Sequence, residues 1–127
     1  MGALSSAKAR AVVAVADLQR ARSFYGDTLQ LTEKGEGPGG VLHYESGGGT
    51  TLDVYESQFA GTAKSTVAAF EVADLDAAMR ELRGRGVSFE NYDIPGVKTQ
   101  DGVVEVAGSR ACWFKDPDGN TFSIVQT

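Results

Sequence analysis

Few side chains in this chain are suited to chemistry. It contains one histidine, His43, and one cysteine, Cys112. An imidazole with a pKa near neutrality serves as a general base, although a single histidine on a strand is more often exposed or simply hydrogen-bonded. Cys112 has no base or cation beside it and alternates with Phe114, which predicts a buried, unreactive thiol. A site of two histidines and one carboxylate is excluded within one chain.

The acidic pair in Asp116-Pro117-Asp118-Gly119 has two interpretations. Two nearby carboxylates are suitable ligands for calcium. However, proline presets φ for the second position of a turn, and glycine takes the left-handed position after it, so a structural turn fits better. The sequence has no G-x-G-x-x-G, P-loop, G-x-S-x-G or C-x-x-C motif.

Composition indicates one globular domain over residues 1–127, beginning with a polar tail at 1–9. The chain is 42% apolar and 23% charged, so it has the material for a core. Its net charge of −5 disfavours nucleic-acid binding. No segment is apolar enough for a signal peptide or a membrane span. A single free thiol favours the cytoplasm.

The tetrapeptide Val-Ala-Asp-Leu occurs twice, at 15–18 and at 72–75. Each copy follows an apolar, strand-like segment and precedes an apolar pattern with helical spacing. Asp17 and Asp74 are therefore predicted to cap the two helices. The second helix carries a narrow apolar stripe that ends before two glycines; the stripe consists of Leu75, Ala78, Met79 and Leu82.

Strand-like segments follow each predicted helix, at 31–34, 41–45 and 51–55 in the first half and at 87–89, 110–115 and 121–126 in the second. Each half is thus predicted to be a βαβββ unit, and the repeated tetrapeptide indicates an internal repeat. The first unit spans 10–57 and the second 65–127.

The second unit contains a longer insertion at 91–108. Within it, Val103–Val106 is a candidate strand of a hairpin. The apolar tip Ile94–Val97 is interpreted either as a lid over a cleft or as a surface hairpin.

The paired units, the segment FYGDTL and above all the terminal motif WFKDPDGNTFSIV resemble the vicinal oxygen chelate superfamily, which includes glyoxalases, bleomycin resistance proteins and extradiol dioxygenases. The resemblance covers about residues 10–126. It implies an α+β fold in which two βαβββ repeats form an open half-barrel that lines a cleft, with the helices outside. It also implies a homodimer.

The resemblance further implies four metal-ligand positions, which fall on Arg10, Asp53, Val67 and Ser123. Only Asp53 is a good ligand, so we expect a member without a metal or other cofactor. Arg10 and Asp53 are expected on neighbouring strands, where they form a salt bridge that neutralises the former metal site. Alternatively, Arg10 offers its donors to an oxyanion of a ligand.

Several further residues are candidates for ligand contact. Alternation from Asp53 directs Tyr55 into the cleft, Trp113 faces either the cleft or the helices, and Tyr92 lies on the insertion. We expect a small-molecule-binding protein whose ligand is apolar, aromatic or cationic. The alternatives are a metal-independent lyase or isomerase that uses Arg10 with Tyr55 or His43, and a degenerate domain that mainly dimerises. His43 lying beside Arg10 and Asp53 would favour an enzyme.

Overall fold

The computed structural model describes residues 3–126. The first half contains β1 (Ala11–Val15), α1 (Leu18–Ala21), β2 (Thr32–Glu36), β3 (Leu42–Glu45) and β4 (Thr51–Glu56). The second half contains β5 (Thr66–Glu71), α2 (Leu75–Gly84), β6 (Asp93–Ile94), β7 (Val97–Lys98), β8 (Val103–Val106), β9 (Ser109–Lys115) and β10 (Thr121–Gln126). No helix in the described part of the chain is long and apolar enough to cross a membrane.

Both predicted helix caps are confirmed. The Asp17 carboxylate accepts hydrogen bonds from the backbone N–H groups of Gln19 and Arg20, at 2.8 and 3.3 Å. The Asp74 carboxylate accepts one from Ala77 at 3.1 Å. After α1 the helix continues as a wider π-helical segment, Arg22–Thr28, whereas α2 remains α-helical to its end.

The strands form two four-stranded sheets with equivalent orders, β1-β4-β3-β2 and β5-β10-β9-β8, and β6 pairs with β7 in a separate hairpin. In each large sheet the first strand runs parallel to the last strand of its half, and the remaining pairs are antiparallel. This arrangement confirms the predicted α+β fold of two equivalent units.

The prediction of a strand at 87–89 is wrong. This segment makes only an isolated bridge from Phe89 to Phe114, and the second strand of the unit is instead β8, within the insertion. Val87 and Phe89 still pack against the core. Their apolar spacing is explained by this packing, which does not require a ladder of backbone hydrogen bonds.

One hydrophobic core extends through both halves. Tyr25, on the helix of the first half, lies 6.0 Å from Tyr44 in β3 and 6.0 Å from Phe122 in β10, measured between ring centroids. Phe114 stacks on Phe122 at 5.5 Å. Cys112 is fully buried, as its alternation with Phe114 predicted.

A buried polar network at the 116–120 turn connects the two halves. The Asp116 carboxylate accepts hydrogen bonds from the Tyr25 hydroxyl at 2.6 Å, from the Asn120 side-chain amide at 2.8 Å, and from the backbone N–H groups of Asp118 and Asn120. The Asn120 amide also donates to the carbonyl of Ala14 at 2.8 Å. The Gly119 N–H closes the turn onto the Asp116 carbonyl at 3.0 Å, which confirms the predicted turn.

Candidate functional site

A cluster of three polar side chains lies on the face of the first sheet that points away from the core. Asp53 on β4 is directly opposite His43 on β3 and Val12 on β1, and Arg10 precedes β1 by one residue. The Asp53 Oδ1 atom lies 2.8 Å from Arg10 Nη2 and 2.7 Å from His43 Nδ1. The predicted Arg10–Asp53 ion pair is therefore present, and His43 adjoins it.

The geometry indicates which histidine nitrogen carries the proton. Arg10 Nη2 is also 2.8 Å from His43 Nδ1, but Nδ1 cannot both accept from Arg10 and donate to Asp53. If Nδ1 were an acceptor, its lone pair would face the Asp53 carboxylate at 2.7 Å. We therefore assign Nδ1–H as the donor to Asp53, beside the Arg10 donor, which leaves the Nε2 lone pair as the acceptor in the neutral ring.

Gly37 contacts the other edge of the imidazole, and no sequence pattern marked this residue. A Cβ atom at position 37 would lie 2.6 Å from His43 Nε2, closer than van der Waals contact permits. The backbone at Gly37 is extended, with φ −89° and ψ −174°, so an alanine there would incur no backbone strain. The absence of a side chain at Gly37 is thus what admits the histidine ring.

The cluster is open to solvent on one side. The exposed fraction of the side chain falls from 46% for Arg10 to 29% for His43 and 11% for Asp53. Arg10 uses one of its nitrogens on Asp53, so the rest of its planar fork of donors faces outward. Within residues 3–126, Asp53 Oδ2 accepts no hydrogen bond. Tyr55, two residues further along β4, is 38% exposed on the same face, as alternation predicted.

A second, apolar feature lies on the corresponding face of the second sheet. Trp113 follows the buried Cys112 and precedes the buried Phe114, so its indole points to the opposite side from the core. Together with Val104 and Ala111 it borders a groove of about 270 Å³ under the β6–β7 hairpin. The Tyr92 ring meets the indole edge-on, with centroids 5.5 Å apart and planes at 85°.

Two other predicted contact residues are less accessible. Ser123 on β10 is buried and lies opposite Trp113. Val67 sits at an irregularity in the β5–β10 register and packs against the core. Among the described hydrogen bonds, ion pairs and ring contacts, none links Val67, Trp113 or Ser123 to the Arg10 cluster. The structure thus brings Arg10, His43 and Asp53 together and places Tyr92, Trp113 and Ser123 in a separate region.

The residues present do not fit the divalent metal of the superfamily. Of the four expected ligand positions, Arg10 carries a positive charge and Val67 is apolar. Ser123 offers only a buried neutral hydroxyl group, which is a weak metal ligand. Asp53 Oδ1 already accepts hydrogen bonds from Arg10 and His43, so only Oδ2 would be left for a metal, next to the Arg10 cation. Within residues 3–126 there is no group of three or more His, Cys, Asp or Glu side chains placed to hold a metal ion.

Comparison with solved structures shows the same fold in several proteins. TnmS3, an antibiotic binding protein from Streptomyces sp. CB03234, matches with a TM-score of 0.72 at 22% identity over 95% of this chain and 97% of that chain. A superfamily member from Sphaerobacter thermophilus matches with a TM-score of 0.72 at 25% identity over 95% of this chain and 98% of that one. A lactoylglutathione lyase from Agrobacterium tumefaciens matches at 0.71 and 18% identity over 95% and 93%.

No match was found among the curated proteins. A family model, described as the Glyoxalase/Bleomycin resistance protein/Dioxygenase superfamily, matches residues 9–124. This match spans both sheets and includes the Arg10 cluster as well as the Trp113 groove. The chain belongs to the Glyoxalase/Bleomycin resistance protein/Dioxygenase superfamily.

Proposed function

We propose that the protein binds a small organic molecule without a metal, and that an aromatic part of the ligand packs against Trp113. The observation that carries the proposal is the partly buried indole that borders an apolar groove, with the edge of Tyr92 packed against it. A flat, fixed ring provides a large contact area at little cost in conformational entropy. The net charge of −5 favours a cationic ligand over an anionic one.

A fold-level analogy supports the same proposal. TnmS3, which shares this fold, is described as an antibiotic binding protein. At 22% identity the likeness concerns the fold alone, so the ligand class of that protein enters here as a hypothesis for this chain.

We also propose that the binding unit is a homodimer. Val12 and Tyr55 are 57% and 38% exposed on the face of the first sheet that carries the Arg10 cluster. A second copy that covered this face would bury the exposed Val12 and Tyr55 side chains. Native mass spectrometry of the purified protein would report the subunit number, any metal and any retained ligand in one measurement.

We place the protein in the cytoplasm, because its single cysteine forms no intrachain disulfide. Expression of a tagged chain in its source cell, followed by fractionation, would test this placement.

Titration with proflavine, a planar aromatic cation, tests the binding proposal. Trp113 is the only tryptophan, so fluorescence excited selectively at the indole and not at the four tyrosines reports on the groove. We expect quenching on binding, and about a tenfold loss of affinity in Trp113→Ala, since stacking on an aromatic ring contributes about 1–3 kcal/mol. Phe59→Ala, which removes an exposed ring outside the groove, is the matched control. Calorimetry showing equal affinity for Trp113→Ala and the wild type would contradict the proposal.

A second candidate function, proton transfer, is favoured by the His43–Asp53 contact at 2.7 Å. Here the substrate is an α-hydroxycarbonyl compound, and His43 Nε2 takes the proton from its hydroxyl-bearing carbon. The C–H electron pair forms a C=C bond while the carbonyl π pair moves onto oxygen, and Arg10 stabilises the resulting enolate oxygen. The hydroxyl proton then passes to that oxygen, and His43 returns its proton to the former carbonyl carbon, which completes an isomerisation without a metal. Because Gly37 lies against Nε2, its turn has to withdraw for a substrate to approach.

Hydrogen–deuterium exchange distinguishes this second candidate. Dihydroxyacetone, glyceraldehyde and methylglyoxal in D₂O would be followed by proton NMR. We expect exchange catalysed by the wild type to fall at least about a hundredfold in His43→Gln, because general-base catalysis contributes about 10²–10⁴. Gly37→Ala should slow exchange as well, through displacement of the ring. Equal rates for His43→Gln and the wild type would exclude His43 as the base.

A further inference from the structure

A second cavity lies on the opposite side of the second sheet from the Trp113 groove. Its floor is formed by Phe114 and Ile124, which are buried side chains on the core face of β9 and β10. Helix α2 closes one side through Ala78 and Leu82, and the cavity has a volume of about 150 Å³. Because neighbouring residues of a strand point to opposite faces, Trp113 does not border this space.

The apolar stripe of α2 explains why this space exists. Leu75 and Met79 are fully or almost fully buried, and Leu82 is 8% exposed. Ala78 occupies the remaining stripe position with a single methyl group, so the helix leaves a gap over the sheet there. Protein interiors are otherwise packed at high density, with few voids larger than a water molecule. This half-open cavity, lined mainly by apolar side chains, has room for a molecule about the size of benzene.

The mouth of the cavity carries a carboxylate with a free oxygen. Glu81 borders the cavity, and its Oε2 atom accepts a hydrogen bond from Arg85 at 2.7 Å. Arg85 also donates to the carbonyl oxygen of Thr28 at 2.7 Å, which fixes the guanidinium between the two helical segments. In the part of the chain that the structure describes, Glu81 Oε1 accepts no hydrogen bond.

These observations define the chemistry of a ligand. We propose that the cavity is a second binding site for a small neutral molecule with one aromatic ring and one hydrogen-bond donor, such as a phenol or an aniline. The ring occupies the space over Phe114 and Ile124, and the donor reaches Glu81 Oε1. A carboxylate on the ring is disfavoured because it would face Glu81. This site is separate from the Trp113 groove and does not depend on the function proposed for it.

Neutral phenol is the probe, and the anion benzoate, which has the same ring and no hydroxyl donor, is the control. For the full chain we expect phenol at ten times its Kd to raise Tm by roughly 4 °C, and benzoate to leave Tm unchanged. Ala78→Leu fills the cavity and should abolish the response to phenol. Ala63→Leu adds the same atoms at an exposed position and should preserve the response. An equal phenol response in Ala78→Leu and the wild type would overturn the proposal.

Glu81→Ala tests the polar end of the ligand. Because the Glu81 side chain is 65% exposed, solvent weakens a hydrogen bond to it, and we expect the affinity for phenol to fall about threefold and the affinity for toluene to remain unchanged. An equal loss for both ligands would show that Glu81 acts only by supporting the helix, and the assignment of a donor-bearing ligand would be wrong.

A measurement on the wild type keeps the test independent of how the variants fold. In methyl-resolved NMR spectra, phenol should shift the signals of Leu82 and Ile124 and leave the Trp113 indole N–H signal unchanged. Movement of the Trp113 signal without the methyl signals would assign phenol to the groove and overturn the cavity proposal. Proflavine should give the reverse pattern, so failure of one site is distinguishable from failure of the other.

Discussion

Asp53 and Asp116 each organise a polar cluster, and the two carboxylates differ in how fully their oxygens are used. Asp116 accepts four hydrogen bonds, two on each oxygen, and is 5% exposed. Asp53 accepts on Oδ1 only, from Arg10 and His43, which are themselves partly exposed. A saturated and buried cluster has no capacity left for a ligand. Asp53 is almost as buried, at 7% exposed, but its Oδ2 atom accepts no described hydrogen bond and its partner Arg10 is half-exposed, so this cluster keeps unused hydrogen-bonding groups.

This contrast assigns the two clusters different roles. The Asp116 network joins the π-helical segment Arg22–Thr28, β1 and the turn before β10, so its hydrogen bonds hold the two halves together. Leaving a buried polar group unpaired lowers the free energy of unfolding by about 1–3 kcal/mol. Removing one member of the Asp116 network therefore destabilises the fold through the partners that it leaves unpaired. The Arg10 ion pair is half-exposed, and solvent screening reduces what such pairs contribute to stability.

Alanine substitution at the two carboxylates is the sharpest test of the contrast. Asp116→Ala leaves the Tyr25 hydroxyl and the Asn120 amide without their acceptor, and we expect it to lower the free energy of unfolding by about 4 kcal/mol. Asp53→Ala should lower it by less than about 1 kcal/mol, because water replaces the lost partner. Urea denaturation followed by circular dichroism measures both. Equal losses would mean that the Asp53 cluster is structural too.

A pair of tyrosines tests the network at the level of one hydroxyl group. Tyr25 and Tyr44 are both fully buried, but the Tyr25 hydroxyl donates to Asp116 at 2.6 Å, and that of Tyr44 to Glu33 at 3.4 Å. Burial and the nearby carboxylate raise the pKa of Tyr25 well above its usual range, and burial raises the pKa of Tyr44 to about 12.

We expect Tyr25→Phe to lower the free energy of unfolding by about 1.5 kcal/mol, since the hydrogen bond is short and its acceptor is charged. Tyr44→Phe is the matched control and should cost about 0.5 kcal/mol. Thermal unfolding of the two variants under identical conditions gives the comparison, and a larger loss for Tyr44→Phe would argue against a special role for the Asp116 network.

Sequence reasoning recovered the features that depend on local chemistry. Asp17 and Asp74 were predictable as caps because a side-chain acceptor at a helix start acts on its own neighbours. The turn at 116–119 followed from proline and glycine in the same way. The prediction of a strand at 87–89 was wrong because the apolar spacing there reflects only burial against the core. The strand that pairs with β9 lies instead within the insertion.

The candidate site was predictable only in part. The resemblance placed Arg10 and Asp53 on adjoining strands, but the approach of His43 depends on the β3–β4 register, which a shift of one residue would reverse. The fit of Gly37 against the imidazole involves a turn whose position no periodicity encodes. Alternation along β9 predicted that Cys112 and Trp113 point to opposite faces of the sheet. Only the structure shows that the Cys112 face is the one packed against the core.

A pH-dependent effect is expected on the core face of the second sheet. Burial raises the pKa of the Cys112 thiol to about 11 from an ordinary value of 9.0. The folded state therefore holds this proton more tightly than the unfolded state, so the contribution to stability is complete below pH 9 and is lost as the pH rises through 11. Between these limits Cys112 should reduce the free energy of unfolding by about 1 kcal/mol per pH unit.

Cys112→Ala removes that dependence and leaves every other titrating group in place, so its unfolding free energy should fall less steeply from pH 9 to 11 than that of the wild type. Urea denaturation at several pH values measures the two slopes. Native protein should also react slowly with iodoacetamide at pH 9, because the thiol is both protonated and enclosed. If the unfolding free energies of Cys112→Ala and the wild type fall with pH at the same rate, and alkylation is fast, β9 must separate from the core readily. The core face of the second sheet would then be as accessible as its other face.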